Sequence, residues 1–280
     1  MPSYDFHQHL WPPALIDALR ARADPPRLRG SVLQLPSGEW ELDLSCHAPE
    51  ARIAALDRDE IDIAVISCPP TLGLDAELVE AYHDGILEVV AASGGRLLAL
   101  SCGSVRPGFV GACVGARAMA DLDELAPLLT ELERCAEPLF VHPGPEPTEP
   151  GAPSWWPSVV GYTAQMQAAY AAWLARGAEA WPRLRVLFAI LAGGAPIQLE
   201  RLASRGVDTR AILHDHVYFD TASYGERALE LSMATFGVGQ LVYGSDWPVM
   251  DAEATLRSVR GFGQAVTDAV CRENPARLLQ

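Results

Sequence analysis

Near its start the chain reads Asp5-Phe6-His7-Gln8-His9, two imidazoles at positions i and i+2 with a carboxylate two residues before them. In an extended strand successive side chains alternate sides, so this spacing predicts Asp5, His7 and His9 on one face. Burying such a face is costly unless the groups are hydrogen-bonded or hold a metal. Neutral imidazole is a preferred ligand of zinc and related ions, and two at this spacing can share one ion. A hydrogen-bonded histidine pair accounts for the two residues equally well. Two further segments favour the metal. Phe140-Val141-His142-Pro143 closes an apolar run in a histidine, and Val242-Tyr243-Gly244-Ser245-Asp246-Trp247-Pro248 closes another in an aspartate. His7, His9, His142 and Asp246 then make a four-ligand set with room for water.

For these groups to meet, they must sit at the same end of neighbouring strands. About eight β-type runs recur along the chain: Tyr4–His9, Ile61–Cys68, Leu97–Cys102, Phe109–Gly115, Leu139–His142, Arg185–Leu191, Val217–Thr221 and Leu241–Tyr243. Between them lie segments with apolar residues at three- and four-residue steps, such as Ala76–Ala92, Asp121–Cys135, Tyr162–Arg176 and Ala252–Val259. Strands alternating with helices predict an α/β protein, a (β/α)8 TIM barrel in one domain of 280 residues, against ~250 for the fold. Barrel enzymes assemble their sites at the C-terminal ends of the strands, where His142 and Asp246 fall.

Two segments interrupt the alternation. Residues 24–46 read as a hairpin inserted after the first strand, Ser31–Leu35 and Glu39–Leu44 joined by Pro36-Ser37-Gly38. Residues 143–157 are too rich in proline and glycine for regular structure, yet contain Trp155 and Trp156. Each is a candidate lid, and a plug over apolar surface is the equal alternative for the second.

Hydrophobic residues at 49% and charged ones at 20% are what a soluble protein with a sizeable core carries. The formal charge of −15 repels phosphodiester backbones and anionic lipid, which argues against nucleic acid and membrane as partners and for a small-molecule substrate. Cysteines 46, 68, 102, 113, 135 and 271 are scattered, as reduced thiols of a cytoplasmic protein would be, and the N-terminus carries Asp5 and His7 where a secretion signal needs basic residues and then an apolar run. All 21 basic residues are arginine.

The opening DFHQH, FVHPG at mid-chain, LAGGAPIQLERL, YGSDWP and the closing ENPARLL together resemble the amidohydrolase superfamily. The specific likeness is to the amidohydrolase-2 branch, which includes aminocarboxymuconate-semialdehyde decarboxylase, resorcylate-type decarboxylases and lactonases. The resemblance implies His7, His9, His142 and Asp246 as the metal site, Asp5 as a support of the first strand, and a homodimer. Other branches bridge two metals with a carboxylated lysine, which a chain without lysine cannot supply. One divalent ion is therefore expected, zinc first, with manganese or iron as alternatives.

The family's sixth strand usually ends H-x-G-G with an acid/base histidine, whereas this chain reads Leu191-Ala192-Gly193-Gly194. Three explanations stand. Asp246 takes the proton from metal-activated water; another side chain, with His47 the candidate, supplies it; or the chain is a noncatalytic relative. The first points to hydrolysis of an amide, lactone or ester, with nonoxidative decarboxylation of an aromatic or unsaturated carboxylate as the runner-up. Arg117 is a candidate for a substrate carboxylate or an ordinary salt bridge, and Trp155, Trp156 and Tyr224 for lining the pocket or filling core. His214 and His216 precede a strand and belong to the opposite face, and His83 reads as a surface residue of its helix.

Overall fold

The computed structural model describes residues 1–210 and 213–280. The strands, in chain order, are β1 (Tyr4–His9), β2 (Arg27–Arg29), β3 (Val32–Leu35), β4 (Gly38–Glu41), β5 (Ile63–Ser67), β6 (Leu97–Ala99), β7 (Ser101–Cys102), β8 (Ala112–Gly115), β9 (Leu139–His142), β10 (Val186–Phe188), β11 (Val217–Asp220) and β12 (Leu241–Val242). β1, β5 and β6 pair in that order, and β7 through β12 form a second arc. All the pairings in these two arcs are parallel. β6 and β7 are halves of one strand bent at Leu100, and Phe6 N–H to Tyr243 O and His9 N–H to Trp247 O, both 2.9 Å, join β1 to the end of the second arc. The result is the expected (β/α)8 barrel. The predicted strand ends shrink, since Phe109–Gly115 pairs only from Ala112 and Arg185–Leu191 only through Phe188.

The barrel is filled by residues that its short strands turn inward or pack beneath the helices, among them Phe6, Val65, Phe140, Leu187, Phe188, Phe219 and Val242, all at most 1% exposed. Burial on both faces explains why these strands read as continuous apolar runs. The helix Ala76–Ala92 packs with Leu78, Tyr82, His83, Gly85, Ile86 and Val89 buried. His83 is therefore not a surface residue: its Nε2 accepts the Cys102 N–H at 2.9 Å, and its ring edge meets Phe109. A stripe wide enough to cover two neighbouring strands takes in position 83 beside Tyr82.

The insertion holds three antiparallel strands, not two. β2 pairs with β3 so that Leu28 faces Leu33, and both are buried. Arg27 and Arg29 flank Leu28, a run too short and too charged to stand out in sequence. The helix Pro13–Ala21 separates this sheet from β1.

Candidate metal centre

In β1 the strict alternation fails. Asp5 stands opposite Ala64 and Gln8 opposite Ile66, so β1 carries one extra residue there, a bulge of the kind found beside active sites. Asp5 consequently shares its bonds with Gln8 and the YGSDWP turn instead of joining the imidazole rings. Gln8 Nε2 donates to its Oδ2 at 2.6 Å, and Ser245 N–H to its Oδ1 at 3.0 Å. Burial raises the Asp5 carboxyl to about 6 against the pull of these bonds.

His7, His9, His142 and Asp246 do meet: each offers one ligand atom, and these atoms all lie within 4.8 Å of one another. His7 Nε2 is 3.2 Å from His9 Nε2, and Asp246 Oδ1 lies 3.1 Å from His9 Nε2 and 3.5 Å from His7 Nε2. Every ring has its Nδ1 engaged behind the cluster. His7 Nδ1 meets Asp220 Oδ2 at 2.5 Å, His9 Nδ1 the Ser67 carbonyl at 3.0 Å, and His142 Nδ1 the Pro143 carbonyl at 2.9 Å. Oxygen acceptors at Nδ1 hold the proton there, which turns three Nε2 lone pairs and a carboxylate toward one point. Three imidazole nitrogens and a carboxylate converging in this way are a donor set that suits one divalent ion.

The backbone is shaped for this contact. Asp246 adopts a φ of 60°, a left-handed conformation that Asp tolerates better than most residues, and its N–H donates to His7 O at 2.8 Å. Gly244 is required because a Cβ there would lie 2.6 Å from both Asp220 Oδ1 and His7 Cβ. At the end of β10, Ile190 through Gly194 all take positive φ, between 46° and 88°, before a right-handed helix runs to Ala203. Left-handed backbone costs a side-chain-bearing residue ~1–2 kcal/mol. Gly193 is packed so closely on the helix Tyr162–Ala172 that a Cβ would collide with the Thr163 carbonyl, and Gln167 Nε2 holds its own carbonyl at 2.7 Å. Ile190, Leu191 and Ala192 contribute only aliphatic side chains where an acid/base group was sought.

Burial alone would lower the His7 pKa, but the facing Asp220 and Asp246 carboxylates outweigh it and raise it to about 9. Burial lowers His9 and His142, and Asp246, though buried, is held below its ordinary value by the three imidazoles. His7 therefore carries a proton in the metal-free protein at neutral pH and must lose it to bind an ion. Zinc titrated in at about pH 7.5 is expected to release about one proton per ion, read from the dependence of calorimetric enthalpy on buffer ionisation heat. Affinity falls as pH drops below about 9, and enthalpies that do not vary with buffer contradict the assignment.

Two supporting residues escaped the sequence reading. Asp220, fully buried, ends β11 and anchors His7 while its other oxygen accepts the Ala222 N–H. Its place at a strand's C-terminal end was the available signal. Removing such an outer-shell partner weakens metal binding ~10–100-fold, so Asp220→Asn is expected to do so in competition with a chelating dye. Affinity within twofold of the native protein would remove Asp220 from the centre. Arg52, also fully buried, lies in the helix Pro49–Asp59. It donates to Gln8 Oε1 and His9 O, both at 2.6 Å, and its guanidinium lies 4.0 Å over the Trp247 ring. It clamps β1 to the turn that carries Asp246, and nothing in a helix sequence marks one arginine among several for that task.

Arg117 is 59% exposed and paired with Glu146 at 2.6 Å. Trp155 and Trp156 are 54% and 36% exposed, with rings 5.9 Å apart. Tyr224 packs half-buried against the core. The carbonyls of His214 and His216 accept from Val217 and Val186 at the N-terminal ends of their strands, so these histidines are on the opposite face, as expected. His47 is buried on the ring of Trp11, and burial together with Arg52 pushes its pKa down to about 3. It is thus unsuited to exchange protons at neutral pH. Two surface cavities of about 540 and 590 Å³ contain none of the cluster residues.

The parallel eight-stranded barrel gathers three imidazoles and a carboxylate at its C-terminal mouth, a set able to hold one metal ion. Residues 4–280 match the amidohydrolase family Amidohydro_2, and the chain belongs to that family. It is 24% identical, over 283 aligned residues, to a 2-amino-3-carboxymuconate-6-semialdehyde decarboxylase of Dictyostelium discoideum, covering 85% of this chain and 78% of the relative. Among solved structures it resembles IDCase of Metarhizium anisopliae in apo form, with a TM-score of 0.79, 20% identity and coverage of 99% and 97% of the two chains. It also resembles a 5-carboxyvanillate decarboxylase of Novosphingobium aromaticivorans with bound manganese and 3-methoxy-4-hydroxy-5-nitrobenzoic acid, at a TM-score of 0.73, 15% identity and coverage of 99% and 97%.

Proposed function

We propose that this protein is a metal-dependent nonoxidative decarboxylase of a small aromatic or unsaturated carboxylate. The observation that carries the reading is the likeness to a decarboxylase across 85% of the chain. It reverses the order drawn from sequence, where hydrolysis stood first. His7, His9, His142 and Asp246 would hold one divalent ion, zinc by ligand type, with manganese supported by the relative that contains it.

Held by His7, His9, His142 and Asp246, a divalent ion would supply Lewis acidity toward the substrate's charge. The chain's own part is proton management. Asp246, ionised and next to the imidazoles, accepts the proton of an acidic substrate hydroxyl or of water. It then delivers that proton to the carbon that loses carbon dioxide, so one C–C bond breaks and one C–H bond forms. The three histidines are committed through Nδ1 and serve as ligands. Among the described residues no titratable side chain from the Ile190–Gly194 turn shares the work.

The insertion at residues 24–46 and the loop at 143–157 meet where Thr148 donates to the Ser37 carbonyl, and we assign them as covers of the mouth. Arg117, tied to Glu146, would bind a carboxylate only by exchanging that partner. Hydrolysis is kept as a second reading on one observation, the aliphatic turn at Ile190–Ala192, because attack by water needs only an acceptor such as Asp246. Product analysis with 5-carboxyvanillate, salicylate and 2,6-dihydroxybenzoate separates the two, alongside a panel of lactones and esters in ¹⁸O-labelled water. Metal-dependent release of carbon dioxide supports the proposal, whereas label in a hydrolysis product with no carbon dioxide overturns it.

A further inference from the structure

We propose that His47 is a substrate-binding group, an uncharged Nε2–H donor on the rim of the metal centre that takes an acceptor oxygen of the substrate. The proposal rests on the carboxylate-binding reading above and adds the residue that reads the substrate's second polar group.

The geometry fixes both the tautomer and the orientation of the ring. Trp11 N–H donates to His47 Nδ1 at 3.1 Å, so Nδ1 presents a lone pair and the ring proton resides on Nε2. The imidazole stacks on the Trp11 ring at 4.7 Å and 13°, which prevents it from swinging. Trp11 lies two residues beyond His9, and Trp247, against which Arg52 packs, directly follows Asp246. His47 is thus held against a residue two positions beyond one of the proposed ligands. Its side chain is 6% exposed, yet Nε2 has no protein partner among the described residues and is not one of the sealed, unpartnered atoms of the interior. A buried donor left open in this way is completed by a ligand or by water.

The charged and titratable groups that bear on it are Arg52, His9 and Asp43. Arg52 commits both terminal nitrogens to Gln8, His9 O and Trp247 O, and its remaining Nε is sealed in the interior, so it is not offered to a ligand. Its positive charge, with burial, keeps the imidazole neutral against the pull of Asp43. A carboxylate or hydroxyl oxygen of the substrate meets a donor of constant charge.

Substitution separates the two ring nitrogens. His47→Asn retains an acceptor near the Nδ1 position for Trp11 and removes the Nε2 donor, whereas His47→Gln places an amide donor near Nε2. Calorimetry of 2,6-dihydroxybenzoate binding to the zinc-loaded full chain is expected to show affinity about tenfold to hundredfold weaker for His47→Asn, and recovery to within about threefold for His47→Gln. Zinc content is expected to stay the same in both. In the native protein the His47 Nε2–H resonance, followed by ¹⁵N NMR, is expected to move on saturation with the same probe. An unchanged affinity in His47→Asn, a static Nε2 resonance, or failure of the native zinc protein to bind the probe overturns the assignment. If the probe binds and the resonance moves but no carbon dioxide is released from any carboxylate tested, the decarboxylase reading fails and the His47 assignment stands.

Discussion

Asp246→Asn is expected to cut turnover of an active carboxylate by about 10²–10⁴-fold at saturating metal and substrate, the range associated with a lost general acid or base. The substitution keeps the size of the side chain and an oxygen that can face the ion, but it removes the ability to carry a proton. Its backbone setting need not change, because asparagine also tolerates the left-handed φ of 60° found at this position. Since the Ile190–Gly194 turn adds no titratable group, no neighbour there can take over, and the loss appears in kcat. A fall of less than tenfold, with metal bound, would mean that the proton travels by another route.

His9→Ala is expected to reduce zinc affinity by at least about two orders of magnitude, because it deletes one of the four donors and leaves the other three bearing opposed lone pairs. His216→Ala, at the opposite end of the barrel, should leave zinc affinity unchanged. The pair is informative because Asp215 sits between His214 and His216, so this segment has ligand-type residues at similar spacing to β1. Competition titration against a chelating dye measures both variants. Equal losses would place the metal elsewhere or show that His9 acts through folding.

The four proposed ligands were legible in sequence because each lies in β1 or at the end of a strand run that the apolar pattern delimits. DFHQH and YGSDWP also carry residue types that have little other reason to be buried together. Asp5 supports the first strand through Gln8 and Ser245 N–H, as the resemblance implied, but its expected place beside the imidazoles is upset by a single-residue bulge that no residue type in DFHQH announces. Asp220 was visible only as the last residue of a strand, and its partnership with His7 spans 213 positions. Arg52 and His83 were obscured by the rule that polar helix residues face water, which fails where an outer helix covers strand ends that need hydrogen-bond partners. The glycine pair at 193–194 was noticed as a family mark. That the chain bends left-handed from Ile190 onward depends on the helix Tyr162–Ala172 pressing against Gly193, a tertiary contact.

His7, His9, His142 and Asp246 are proposed to hold a single divalent ion. Elemental analysis of untagged protein, purified without chelator and set beside His7→Ala prepared identically, tests it most directly. About one zinc or manganese per native chain, lost in His7→Ala, is the expected result. A native protein that stays empty after either metal is supplied, or a variant that retains its full complement, would contradict it.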